Sequence, residues 1–198
     1  KFIIGLGGDH AVTIGMVKGL EEAYLGGENE GFSVIQFDAH SDFRDSWKNS
    51  QFNHACTAKQ ISKNHSLALL GVRSMDIDEE KEIKNNETVH LVKIYDFSLE
   101  KLETILPKLN DKVFITIDVD VFDPSFIRNT GTPEPDGLFW KDLMSVLKLI
   151  FMKKTVIGAD IVEFAPKFNF EAEAYSLAKL VYKIMALKSL STQDKESL

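Results

Sequence analysis

The stretch Val34-Ile35-Gln36-Phe37-Asp38-Ala39-His40-Ser41-Asp42 decides how the rest of this chain is read. Val34 to Phe37 is a short apolar run, the pattern of a strand in a sheet covered on both faces. It leads directly into Asp38, His40 and Asp42, potential metal ligands two residues apart. Side chains two apart on an extended chain point to the same side, so an extended continuation aims two carboxylates and an imidazole at one point. Such groups do not converge unless they pair, lose charge or hold a cation. The expectation is a cation site at the carboxyl end of a strand.

Working outward, the same arrangement recurs. Val113 to Ile117 reads as a strand that delivers Asp118 and Asp120. Residues 2–6 read as a strand ending in Gly7-Gly8-Asp9-His10, where the glycines allow a tight turn and a close backbone approach. Ile14, Val17, Leu20 and Tyr24 recur at helical spacing from Val12 to about Leu25, with Gly26-Gly27 closing that helix. A short helix is expected over Ala55–Ser62, a strand over Ser66–Val72, an exposed helix over Asp76–Asn86 and a strand over Val89–Ile94. Leu99, Leu102, Leu106 and Leu109 make a helical stripe with Ser98 as N-cap. After a loop from Asp123 to Gly137, a helix over Lys141–Phe151 precedes the strand Thr155–Val162, which ends at Glu163. The last helix, Glu171 to Leu187, has an apolar stripe at Ala174, Leu177, Ala178, Val181 and Met185. Ile184 and Leu187 broaden it toward a second covered face or a subunit contact.

Strands alternating with helices predict an α/β fold with a mainly parallel sheet, one catalytic domain over residues 1–188 and a polar tail over 189–198. Ligands bind such sheets at the carboxyl ends of the strands, where His10, Asp38, Asp118 and Glu163 all fall. Lys1 opens almost at once on a core strand, so further upstream strands of the same sheet are expected.

Composition narrows the function. A formal charge of −7 with no Lys/Arg-rich block argues against nucleic-acid and anionic-membrane partners. One cysteine, Cys56, excludes an internal disulfide framework and suits a reducing cytoplasm, the expected location. No apolar run reaches the ~18–20 residues of a membrane helix, and no signal-peptide pattern is present.

The candidate ligands are His10, Asp38, His40, Asp42, Asp118 and Asp120. Their four carboxylates exceed the charge of one divalent ion and match two. Oxygen and imidazole donors without thiolate favour manganese over structural zinc. Taken singly, an Asp-Xaa-Asp at a strand end also serves as a turn or cap, and His10 as a packed histidine. His54 alone reads equally as a surface loop histidine, Glu163 as a salt-bridge partner, and Asp9 and Asp160 as supporting groups. The joint pattern, each part closing a predicted strand, points to metal.

Gly7-Gly8-Asp9-His10, Asp38-Ala39-His40-Ser41-Asp42 and Ile117-Asp118-Val119-Asp120-Val121-Phe122-Asp123-Pro124 resemble the three metal motifs of the ureohydrolases, the arginase and agmatinase family. Gly71-Val72-Arg73-Ser74, Thr130-Gly131-Thr132-Pro133-Glu134-Pro135 and Gly158-Ala159-Asp160-Ile161-Val162-Glu163 are similar to further family segments. The resemblance runs to about residue 166 and leaves the family's N-terminal portion without a counterpart. It implies a three-layer α/β/α fold, two Mn2+ ions with a bridging water or hydroxide, and hydrolysis of a guanidinium to urea and an amine. One ion would take His10, Asp38, Asp42 and Asp118, and the other Asp38, His40, Asp118 and Asp120. Catalysis falls to His54, which resembles the family's mobile proton-moving histidine, to Glu163, which resembles the carboxylate that pairs with the guanidinium, and to Asp42. His54 and Glu163 are thereby also the substrate-binding residues.

The segment Ser46 to His54 lacks the Ser-Gly-Asn element of arginases, while Asp42-Phe43-Arg44-Asp45 and His54-Ala55-Cys56 look more like prokaryotic, particularly archaeal, agmatinases. Agmatine hydrolysis to putrescine and urea is the expected reaction. Arginine, guanidinobutyrate or formiminoglutamate hydrolysis, or a single-zinc deacetylase-like amidohydrolase, are the alternatives. The family's habit implies a homo-oligomer, trimer or hexamer. Arg128-Asn129-Thr130 departs from the family's small residues or proline at a place that borders substrate.

Overall fold

The computed structural model describes residues 1–24, 31–167 and 170–196. Its strands are β1 (Ile3–Leu6), β2 (Ser33–Phe37), β3 (Leu67–Val72), β4 (Val89–Lys93), β5 (Lys112–Asp118) and β6 (Thr155–Val162). They form one sheet in the order β1-β6-β5-β2-β3-β4, and every neighbouring pair is parallel. Parallel neighbours need a crossover, and helices fill that role: α1 (Val12–Tyr24), α2 (Thr57–Ile61), α3 (Ile77–Lys84), α4 (Leu99–Ile105), α5 (Trp140–Lys153) and α6 (Glu171–Glu196).

Alternation along the central strands sorts the core into two halves. Val34, Leu67, Leu69 and Phe114 pack with Val17 of α1, Ile61 of α2 and Ile83 of α3 on one face. Ile35, Phe37, Ile115 and Ile117 pack on the other with Leu102, Leu143, Leu147, Ile150, Leu180 and Ile184. This is the expected three-layer arrangement, and it explains why β2, β3 and β5 read as continuous apolar runs. Each such buried side chain contributes roughly 1.5–3 kcal/mol. Among the described residues no helix is long and apolar enough to cross a membrane.

Local chemistry sets the helix ends. The Ser98 side chain accepts from the Lys101 N–H at the start of α4, as expected. Asp76 and Glu79 form a capping box on α3.

Two helices differ from what the sequence predicts, α6 in two respects. The α3 segment was expected to be exposed, yet Glu79 and Ile83 are buried. The inward face of α6 is Leu177, Leu180 and Ile184, with Val181 and Leu187 partly buried beside it. Ala178 and Met185 of the expected stripe point outward instead. Two apolar stripes overlap on this helix, and packing against α5 and the sheet selects the one carrying Leu180. Finally, α6 continues to Glu196, through most of the expected tail. The expected Gly26-Gly27 helix end lies outside the described residues.

Candidate metal centre

β2 does not continue extended past Phe37. Asp42 adopts φ 50°, in the left-handed region, and the turn carries Asp38, His40 and Asp42 over the ends of β2 and β5. The single convergence expected from extended geometry is therefore replaced by two neighbouring groups.

The first group surrounds His10, which is fully buried. Its Nδ1 lies 3.1 Å from Asp38 Oδ2, 3.2 Å from Asp42 Oδ2 and 3.2 Å from Asp118 Oδ2. Gly7 (φ 78°) and Gly8 (φ 92°) make the turn that brings it there, a conformation closed to most side chains. The ring's other nitrogen, Nε2, sits 3.0 Å from Thr116 Oγ1, and the Thr13 hydroxyl, 3.4 Å from that of Thr116, donates to Asp160 Oδ2 at 2.8 Å. Asp160 is thus a buried support of the site. Among the described residues Nδ1 has no well-aligned hydrogen-bond partner. Burial works against a charged ring, yet Asp118, Asp38 and Asp42 together hold His10 well above its ordinary value in the metal-free chain. An imidazole nitrogen facing three carboxylate oxygens in a buried place is the donor set of a cation site.

The second group is Asp38, His40 and Asp120. His40 Nδ1 lies 3.0 Å from Asp120 Oδ2 and 3.6 Å from Asp38 Oδ1. Asp38 thus gives one oxygen to each group, while Asp118 enters only the first. The remaining lone pairs are occupied in ways that aim these oxygens. The Gln36 amide donates to Asp38 Oδ2 at 2.8 Å and the His40 N–H to Asp38 Oδ1 at 2.6 Å. Ala39 N–H donates to Asp120 Oδ1 at 3.0 Å, and Asp120 N–H to Asp118 Oδ1 at 2.9 Å.

Buried carboxylates crowd here against two imidazoles. Burial together with the Asp38 charge pushes the Asp42 carboxyl up to about 7. Burial and the neighbouring carboxylates also hold Asp118 well above the carboxylate range and raise Asp120. Burial opposes a charged His40, but Asp120 and Asp38 overcome it and push the ring up to about 11. Protons stand here in the place of cations.

Beside these groups opens a cavity of about 520 Å³, lined among others by Asp42, His54, Asp118, Gly131 and Glu163. Asp9, His54 and Glu163 form a third gathering on its wall. His54 Nδ1 is 2.8 Å from Asp9 Oδ2, so Asp9 orients the ring, a role the sequence reading left undefined. Glu163 follows β6 with φ 64°, strained for a glutamate; its N–H donates to Gly8 O at 2.9 Å, and its Oε1 accepts the His10 N–H at 2.6 Å. Burial raises its carboxyl. All eight expected site residues thus lie in one region at the carboxyl ends of the strands.

Two supporting residues escaped the sequence reading. Buried Glu79 accepts from the Ser41 hydroxyl (2.8 Å) and the Phe43 N–H (2.9 Å), bracketing Asp42, and from Asp76 N–H (2.9 Å). Its local sequence is that of a solvated helix, so only the fold reveals it. Arg73, within Gly71-Val72-Arg73-Ser74, spreads its guanidinium over backbone carbonyls next to Asp120, a role that local spacing does not reveal. The departure at Arg128-Asn129-Thr130 also gains a physical account. Asn129 donates through N–H (3.1 Å) and Nδ2 (2.6 Å) to buried Glu173 of α6, and its Oδ1 accepts Lys167 N–H at 3.0 Å.

Comparison with known proteins gives concordant matches. A family model described as the Arginase family matches residues 1–187. An N(1)-aminopropylagmatine ureohydrolase of Synechocystis sp. is 35% identical over 199 residues, covering 98% of this chain and 63% of that protein. An agmatinase of Pyrococcus horikoshii is 34% identical over 187 residues, covering 94% and 62%. The crystal structure of an agmatine ureohydrolase of Thermoplasma volcanium superimposes with a TM-score of 0.82 at 28% identity, covering 98% of this chain and 64% of that one. The chain thus spans a little under two thirds of the length of these relatives.

Proposed function

The chain belongs to the arginase family, and from that premise we propose that it is a dimanganese amidinohydrolase converting agmatine to putrescine and urea. The observation that carries this reading is the Nδ1 of His10, buried and facing three carboxylates, one of which is shared with a second His/Asp group. Two linked groups favour two ions over a single zinc. His10, Asp38, Asp42 and Asp118 would hold one, and Asp38, His40 and Asp120, with Asp118, the other.

Two divalent ions held by these residues would acidify a bound water to near neutral pH and so supply the nucleophile. The chain's own residues then account for substrate handling. A guanidinium entering the cavity is a cation beside two others, and Glu163 supplies the compensating carboxylate, with Asp9 adding to it. Glu163 is held by its backbone and by the His10 N–H, so it does not swing to meet the substrate but receives it. His54, with Nδ1 tied to Asp9, leaves Nε2 to carry the proton to the departing amine nitrogen. Asp42 borders the same cavity and would help hold the cation of the His10 group.

A second reading keeps the chemistry and lengthens the amine. Relatives 35% identical are named N(1)-aminopropylagmatine ureohydrolase, which favours that substrate as the rival. Urea release from agmatine, N(1)-aminopropylagmatine, arginine and guanidinobutyrate, measured with manganese, decides between them. Agmatine turned over with the highest kcat/KM supports the first reading; no urea from any guanidino compound by the metal-loaded protein ends both. By the same family argument the protein is a cytoplasmic homo-oligomer, a trimer or hexamer, testable by light scattering.

A further inference from the structure

Arg73 is the residue whose contacts exceed anything its place in the fold requires. It follows β3 and faces no carboxylate within ion-pair distance among the described residues. Its guanidinium instead reaches six backbone carbonyls: Gly71 (3.1 Å), Asp120 (2.7 Å), Val121 (3.4 Å), Phe122 (3.4 Å), Glu134 (3.0 Å) and Pro135 (2.8 Å). These belong to three separate pieces of chain: the end of β3, the turn after β5 and the loop from Asp123 to Gly137. A planar fork with five donors suits such a junction; a lysine ammonium does not.

The contacts close a circuit around the second group. Arg73 N–H and Ser74 N–H both donate to Ala39 O at 2.9 Å, between Asp38 and His40. Ala39 N–H in turn donates to Asp120 Oδ1, and Asp120 O accepts from Arg73 Nη2. Asp120 is thereby held at both backbone and carboxylate, with Oδ2 left for His40 and whatever lies beside it. The loop that Arg73 also pins carries Glu134, whose Oε1 sits 3.7 Å from His40 Nε2. The first group has other supports, namely Thr116 behind His10, Glu79 around Asp42 and β5 beneath Asp118.

Resting on the two-ion reading above, we propose that Arg73 is a positioning residue for the second cation alone: it locks the Asp120 turn and the Glu134 loop onto the Ala39 backbone and leaves the first cation site unaffected. The test is manganese titration of the metal-free protein, with bound metal counted after gel filtration and the ion pair followed by electron paramagnetic resonance. Wild type is to be compared with Arg73→Lys and Arg73→Gln, and folding monitored by circular dichroism. Wild type binds two ions. Both variants keep the first within a few-fold and lose affinity for the second by about 10–100-fold, the range for loss of a group that orients a ligand. The spin-coupled signal then gives way to that of an isolated ion. Two ions bound as tightly as in wild type overturns the proposal, as does equal weakening of both sites or loss of the fold in both variants. Wild type that binds fewer than two ions defeats the two-ion reading itself, an outcome visible before any variant is made.

Discussion

Replacing Glu79 by alanine is the sharpest test of how the site is supported, because nothing in the local sequence of α3 marks that residue. Its carboxylate accepts three donors: the Ser41 hydroxyl, Phe43 N–H and Asp76 N–H. The Phe43 N–H and Ser41 hydroxyl belong to buried residues, so truncation leaves them without partners. Orphaning a buried donor costs about 1–3 kcal/mol, and loss of the capping-box bond adds roughly 0.5–1. For the two donors and the capping bond together the loss is about 2.5–7 kcal/mol of stability. For a domain of this size each kcal/mol moves Tm by roughly 2–4 °C, so Glu79→Ala should melt about 5–28 °C lower. Glu79→Gln keeps one acceptor oxygen and should fall between. Asp78→Ala, on the same helix but with its side chain 88% exposed, should move Tm by no more than about 2 °C. Manganese affinity at the His10 group should drop with Glu79→Ala, since the turn that presents Asp42 loses its brace. Differential scanning calorimetry and metal titration read both quantities. A Glu79→Ala protein that melts within 2 °C of wild type and binds metal equally would refute the bracing argument.

Three further expectations follow from the site. Asp118→Ala removes a carboxylate of the His10 group and should leave the purified protein nearly free of manganese by elemental analysis; two ions retained would exclude Asp118 as a ligand. Glu163→Gln keeps the volume and the metal but removes the charge that offsets a guanidinium. Its kcat/KM for urea release should fall roughly 30-fold or more, as for truncating a buried charge pair, and a near wild-type rate would end its assignment to substrate. The third concerns pH. Asp42 rises from 3.8 to about 7 in the folded, metal-free chain. A raised carboxyl contributes stability that is complete below the unfolded value near 3.8 and lost as pH climbs through about 7. Metal-free protein should therefore lose this contribution between those values, while manganese affinity rises over the same window with release of protons. Calorimetry in buffers of different ionisation enthalpy measures the release; binding without proton release near pH 6 contradicts it.

Much of the site was legible because its ligands sit at fixed short spacings at strand ends. The pleat period and the apolar runs place Asp38, Asp118 and Glu163 at the same edge of a parallel sheet without any tertiary knowledge. Spacing could not say which ligand joins which group. His40 leaves Asp42 for Asp120 because the chain turns at Asp42 with positive φ, a local conformation that alternation does not encode. Nor could it find Glu79, whose neighbours Asp78, Glu80 and Lys81 belong to a solvated surface, or the six-carbonyl role of Arg73. The stripe on α6 failed for a related reason: where two apolar faces overlap, only the neighbouring layer selects one.

The sequence by itself determined the element order, the α/β class with a mainly parallel sheet, and the placing of His10, Asp38, His40, Asp42, Asp118 and Asp120 after predicted strands. Each of these follows from periodicity and short-range spacing, which act within a few residues along the chain. The tertiary structure alone decided that Asp118 sits with the His10 group and not with the second, the pairing of Asp9 with His54, and the supports at Glu79, Arg73 and Glu173. Those depend on contacts between segments tens of residues apart, where the packing of whole layers sets the distance and no local pattern carries the information.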